Sequence, residues 1–285
     1  MEYAKDFEIP GILEINAPLI EEQAKYRHLS NRFLAEISRQ KSITAATLLI
    51  AVSEEVSKYL KTLISVHNKI HVIPNGVNTK FFNESLQSTY HSNKFTIGFI
   101  GSMKPWHGLP VLLDAFELLH KKVQDARLLI VGDGPERIEL VKTLKQKNLL
   151  DSTEITGTIP RDKVPYILSS FDIAVAPYPQ LENFYFSPLK VYEYMASGLP
   201  VVASRIGQLK ELIFSGENGI LVSPGNPLEL ANAFYKLYCD PIMRKNLGKN
   251  ARKTVIDFYD WDIVAKRILN LCGLKLLFQK DKKKR

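Results

Sequence analysis

The sequence predicts an α/β protein built on parallel sheets, in a chain long enough for two domains. Three observations carry that prediction. Between residues 95 and 256, six short apolar runs alternate with amphipathic segments, the pattern of a parallel sheet covered by helices on both faces. Three similar runs recur within residues 11–73. A chain of 285 residues with 45% hydrophobic content is enough for two domains with cores of their own.

Each element follows from local pattern. Residues 11–16 (GILEIN) read as a strand, and residues 19–46 have helical apolar spacing filled with charge. TLLIAV (47–52) is a buried-type strand. Ser53 then caps a helix whose first turn holds Glu54 and Glu55. IHVI (70–73) is a strand ended by the turn Pro74-Asn75-Gly76. Residues 83–94 (NESLQSTYHSNK) are polar and patternless, and read as a linker. The second part then runs strand 95–100, helix 109–122, strand 127–131, helix 135–147, strand 153–157 and helix 161–170. Strand 172–176, helix 188–196, strand 200–204, helix 207–214, strand 219–222 and helices 227–239 and 241–256 complete it. A helix over 257–272 and a basic tail over 273–285 close the chain. No repeat of solenoid period is present.

Charge narrows the partners. The net charge is +8, and Lys280–Arg285 alone contributes +4 through five basic residues and one acidic. A mildly basic body suits a phosphate-bearing small ligand and does not demand nucleic acid. Cys239 and Cys272 lack metal-type spacing, which points to a reducing compartment rather than a disulfide framework. MEYAKDFEIP does not read as a signal peptide, and no apolar run reaches the ~18–20 residues of a membrane span. The expectation is therefore a cytoplasmic protein whose basic tail can touch anionic lipid.

In open parallel sheets, ligands bind beyond the carboxyl ends of strands. Gly101-Ser102-Met103-Lys104-Pro105-Trp106-His107-Gly108 follows the strand 95–100, and Gly132-Asp133-Gly134-Pro135 follows 127–131. Glycines there permit tight turns and close ligand approach. Lys104, His107 and Lys190 add positive charge to the same rim. Ser187-Pro188 opens a helix in which Leu189 and Lys190 have free N–H groups, and Pro188 suits the first helical position. A helix N-terminus suits a phosphate, and Glu193 further along suits a ribose diol. Each piece alone is more often an ordinary turn, helix start or solvated side chain. Together they describe a nucleoside diphosphate.

PNGVN (74–78), FIGSMKPWHG (99–108), LLIVGDGPE (128–136), SPLKVYEYMASGLPVVAS (187–204) and NGILV (218–222) form an ordered set. With LLIAVSEEV (48–56) and FYDWDIVAKRIL (258–269), the set resembles the group 1 glycosyltransferases over roughly residues 10–270. The resemblance implies the two-Rossmann GT-B fold: a partial acceptor-side domain over 1–82 and a complete donor-nucleotide domain over 95–256, with helix 257–272 packing back toward the N-terminal part. It implies sugar transfer from a nucleotide-diphosphate sugar with retained configuration, with no metal and no cofactor beyond the donor.

Residue by residue, Glu193 matches the second Glu of the family's Glu-(seven residues)-Glu motif, and Tyr185 stands where the first belongs. The family's phosphate-gripping Arg and Lys fall on Ser102 and His107, leaving Lys104 or Lys190 to compensate. Thr158 and Ile159 match the place where backbone groups meet the base. Glu193, Lys190 and His107 are the expected catalytic residues, and Gly101, Ser102, Lys104, Gly132, Thr158, Ile159, Ser187 and Leu189 the expected donor contacts. Asn16 occupies the place of a family His that faces the donor sugar. About 100 residues of a usual domain are missing from the front, so residues 11–80 are expected to be the less stable part. Two alternatives follow: an inactive nucleotide-sugar-binding remnant, or a half-enzyme completed by a separate N-terminal chain. Asp260-Trp261-Asp262 is an Asp-x-Asp sequence, but Asp260 is read as a helix cap with Trp261 packed beneath it.

Overall fold

The computed structural model describes residues 2–26, 28–65, 67–83, 92–182 and 184–273. Residues 84–91 of the expected linker and 274–285 of the basic tail lie outside the described residues. The chain divides into two units. The first comprises Met1–Gly76, Asn183–Ser187 and the chain from Trp261 onward. The second comprises Val77–Glu182 and Pro188–Asp260.

In the first unit, α1 (Glu2–Asp6), β1 (Ile12–Ile15), α2 (Leu19–Tyr26), α3 (Arg32–Ala45), β2 (Leu48–Ala51), α4 (Glu54–Leu63) and β3 (Ile70–Val72) follow in order. The strands form a parallel sheet in the order β1-β2-β3. Ser53 caps α4 by accepting from the Val56 N–H at 3.2 Å, as its sequence signal predicts. The single helix expected over 19–46 is instead two. Asn31 adopts an extended conformation and its Oδ1 accepts from the Leu34 N–H at 2.9 Å, so capping chemistry starts a new helix inside a continuous periodicity.

The second unit runs β4 (Thr96–Ile100), α5 (Leu109–His120), β5 (Arg127–Val131), α6 (Arg137–Gln146), β6 (Thr153–Gly157), α7 (Val164–Leu168), β7 (Ile173–Ala176) and α8 (Leu189–Ala196). Then come β8 (Val201–Ser204), α9 (Leu209–Leu212), β9 (Ile220–Val222), α10 (Pro227–Cys239) and α11 (Pro241–Phe258). Its parallel sheet has the order β6-β5-β4-β7-β8-β9. The chain builds outward from β4 in one direction, then returns to β7 and builds in the other. β4 and β7 therefore flank a topological switch point, where the loops at the strand ends diverge and leave a crevice.

Helix α12 (Trp261–Leu271) belongs to the first unit, where Val264 and Ile268 pack with Ile12, Ile50 and Ile73. The segment from Val77 belongs to the second. The Val77 N–H donates to the Tyr259 carbonyl at 2.8 Å, and the Thr79 hydroxyl donates to the Asp260 carboxylate at 2.5 Å. The Arg252 guanidinium donates to the carbonyls of Phe82 and Ala196. Trp261 is 44% exposed rather than packed beneath Asp260, because the α12 face that meets the sheet carries Val264 and Ile268 instead. Cys239 and Cys272 are free thiols. Among the described residues, no helix is long and apolar enough to cross a membrane.

Candidate functional site

The switch point gathers much of the expected site. Gly101 leaves β4 and Gly132 leaves β5, both with positive φ (153° and 136°). Their backbones run so close that a Cβ on Gly132 would lie 2.1 Å from the Gly101 carbonyl oxygen. The Gly101 N–H donates to the Val131 carbonyl and the Gly132 N–H to the Gly157 carbonyl, each at 2.9 Å, so both turns are extensions of the sheet ladder. Behind them the Met103 N–H donates to the Asp133 carbonyl at 2.9 Å, joining the two loops. The Asp133 carboxylate is satisfied by the Gly134 N–H and by Arg137, each at 2.7 Å, and is pulled below its usual range by them.

Helix α8 is anchored on the same strand end. The buried Tyr194 phenol accepts from the Ile100 N–H at 2.8 Å, fixing the helix against the last residue of β4. Sequence reasoning missed this residue. Its position has the apolar periodicity of a core aromatic, and nothing local marks the hydroxyl as a bridge to a strand 94 residues away. Pro188 stands at the N-cap, one place before the first helical residue where it was expected. Its own φ and ψ (−82°, 65°) are not helical, and its carbonyl accepts the first helical bond, from the Val191 N–H at 2.8 Å. The N–H groups of Leu189 and Lys190 precede that bond and have no partner within the helix.

Lys190 projects to the β4 exit. A Cβ on Gly101 would lie 2.6 Å from its Nζ, so the glycine makes room for the ammonium. The Nζ lies 4.3 Å from the ring centroid of Phe99 and 5.7 Å from that of Tyr178. It is buried with no hydrogen-bond partner among the described residues. Burial pushes this lysine down to about 7, opposed by the nearby Glu193 carboxylate. Buried polar groups are seldom left without a partner.

His107 sits in a 3₁₀ turn, and its Nδ1 donates to the Ser102 carbonyl. Burial first, then the positive charges of Lys190 and Lys104, push it down to about 4. It is neutral at physiological pH and presents Nε2 as an acceptor, so the positive charge expected of it is absent. Desolvation and two neighbouring cations outweigh its one supporting hydrogen bond. Lys104 rests over Trp106, 5.9 Å from the ring centroid.

Glu193 is only 20% exposed and burial raises its carboxyl, opposed by Arg161 and Lys190. Arg161, 79% exposed, reaches it at 3.6 Å. That distance makes an ion pair but a poor hydrogen bond, so the carboxylate can accept from a diol. The sequence reading stopped at Thr158 and Ile159, on the same loop, and missed Arg161. Thr158 is exposed and Ile159 half-buried, at the start of that loop. Ser187 groups with the first unit rather than with α8. Also in the first unit, the Tyr185 carbonyl accepts from the Ser53 hydroxyl at 3.3 Å and its phenol donates to Glu22 at 3.4 Å. Asn16 accepts from the Asn75 amide at 3.2 Å there.

Comparison with known proteins gives the family. Residues 81–254 match the family described as glycosyl transferases group 1, and residues 17–81 match that described as glycosyltransferase family 4. A phosphatidyl-myo-inositol mannosyltransferase of Mycobacterium leprae is 31% identical over 201 residues, covering 70% of this chain and 52% of that protein. An uncharacterized glycosyltransferase of Methanocaldococcus jannaschii is 29% identical with the same coverage. The structure of Anabaena HepE in complex with UDP and glucose superimposes with a TM-score of 0.73 at 22% identity, covering 95% of this chain and 73% of that one. The chain spans about half the length of the curated relatives it matches.

Proposed function

Because the chain belongs to the group 1 glycosyltransferase family, with the α/β parallel-sheet fold of GT-B enzymes, we propose that it binds a nucleoside diphosphate sugar at the β4–β7 switch point and transfers the sugar to an acceptor with retained configuration. The observation that carries this reading is the Lys190 Nζ, buried with no hydrogen-bond partner among the described residues, beside the α8 N-terminus and the Gly101 turn.

The diphosphate sits on the free N–H groups of Leu189 and Lys190 and on the Lys190 ammonium, with the turns at Gly101, Ser102 and Gly132 allowing close approach. Glu193 accepts from the ribose hydroxyls. The backbone at Thr158 and Ile159 meets the base. As the sugar departs, negative charge grows on the leaving diphosphate, and the helix terminus and Lys190 stabilise it. The departing phosphate oxygen takes the acceptor proton, so no side-chain base, metal or further cofactor is required. The neutral His107 supplies an acceptor at Nε2 for a donor-sugar hydroxyl.

Calorimetry with UDP and GDP tests the site. Lys190→Ala is expected to weaken nucleotide affinity at least tenfold, the order expected for a buried charge-assisted contact. Lys104→Ala, at the rim, has a smaller effect. Unchanged affinity in both variants rejects the assignment. Incubation with a panel of nucleotide sugars, with and without EDTA and with NMR of the product anomer, tests transfer, retention and metal independence. A second reading, binding without turnover, is favoured by Tyr185, which replaces a carboxylate of the family motif and is hydrogen-bonded to Glu22. Nucleotide heat with no product in that panel supports it. Activity only on adding a co-purifying chain supports a half-enzyme. Flotation with anionic vesicles tests contact through the basic tail.

A further inference from the structure

Lys190 is held in surroundings that attract a cation yet offer it no acceptor. Two aromatic rings, Phe99 and Tyr178, face its Nζ at 4.3 and 5.7 Å, while burial removes the water that would solvate a charge. The groups that face it do not supply a full countercharge. From the loop after β4 comes His107, whose Nδ1 is already committed to the Ser102 carbonyl and beside which Lys104 adds a like charge. From the segment after β7 comes Tyr178, whose buried phenol is held in its neutral form. From α8 itself comes Glu193, shared with Arg161 of the loop after β6. These surroundings are therefore tuned between accommodating an amine and an ammonium.

We propose that above neutral pH Lys190 is largely uncharged without the diphosphate and takes a proton from solvent as the diphosphate arrives, so that donor capture is coupled to proton uptake. This rests on the donor-site reading above. The proton adds to the Nζ lone pair and the resulting ammonium donates to phosphate oxygens. No bond of the nucleotide is made or broken. The position of Lys190 near 7 in the empty protein places the change within the physiological range. A bound diphosphate favours the charged form and moves its titration upward, so affinity falls as pH rises above neutrality.

The test is titration calorimetry of UDP, whose own phosphates are ionised from pH 7.5 to 9, in pairs of buffers of different ionisation enthalpy. Nearly one proton taken up per UDP at pH 8, and a Kd that rises about five- to tenfold per pH unit, are expected. Lys190→Arg, with a charge that cannot be lost, should bind UDP without uptake and with a flat pH profile. Should that variant fold poorly, NMR titration of ¹³C-labelled lysines in the unsubstituted protein reads the same property. One ε-carbon should titrate near neutrality when empty and shift upward with UDP. UDP binding with no buffer-dependent heat and a constant Kd overturns the coupling and leaves the donor site standing. No heat with UDP or GDP at any pH overturns the donor site itself.

Discussion

The two units use the same parallel architecture on sheets of unequal size, three strands in the first and six in the second. In the second, β7 and β8 are buried along their whole length, β4 and β5 nearly so, and one apolar cluster from Phe95 to Leu247 fills the space between sheet and helices. In the first, only β2 is buried throughout, and β1 and β3 are half-exposed edges. A cavity of about 480 Å³, bounded by Leu13, Ile15, Leu19, Ile20, Ile43 and Leu60, lies beside β1. Tyr3, Phe33 and Leu34 on its helices and Phe7 just after α1 remain exposed. A six-stranded sheet shields its inner strands from water on every side, whereas a three-stranded one has a single inner strand. The second unit can therefore hold an unpaired lysine and a neutral histidine in a rigid setting, and the first has less packing with which to do so.

Hydrogen exchange should expose the contrast most strongly. Amides of β4, β5, β7 and β8 are expected to be protected at least two orders of magnitude beyond those of β1 and β3, a gap of about 3 kcal/mol. Equal protection in the two sheets would break the comparison.

Gly132→Ala sharpens it. The new Cβ meets the Gly101 carbonyl oxygen at 2.1 Å, and a backbone atom cannot swing aside. With the added cost of positive φ, a loss of about 2–3 kcal/mol is expected. It should be confined to the second unit, so that exchange accelerates in β4 and β5 and not in β2.

Acid should narrow the gap by a smaller amount. His107 is held near 4, below the ordinary histidine value of 6.5, so the unfolded chain binds more protons between those limits. Stability is thus present above about 6.5 and is lost as pH falls toward 4, by about 1–2 kcal/mol once partial exposure is allowed for. His107→Gln should flatten that segment of the stability-against-pH curve. An unchanged curve would show that His107 is not held neutral by burial.

Much of this was legible along the chain. The nine strands among the described residues all fall within a residue or two of their predicted runs, since strands buried in parallel sheets need little besides local hydrophobicity and flanking turns. The helix start was legible at Ser187-Pro188, and α8 begins at Leu189. The break at Asn31 was missed because the apolar periodicity runs on through it, and the exposed Trp261 because an aromatic beside a cap was taken for a staple. His107 was taken for a cation because a loop histidine is usually solvated. Here it is half-buried beside Phe99 and Tyr178.

The sequence by itself determined the parallel α/β plan, the strand exits that bear glycine and the helix that bears Lys190 and Glu193, because periodicity, caps and turns act over a few neighbouring residues. Only the tertiary structure decided how these meet: Tyr194 pinning α8 to Ile100, Arg161 reaching Glu193, and Lys190 buried between Phe99 and Tyr178. Charge state depends on solvation and on groups brought together from distant strands, and no local pattern of residues encodes that.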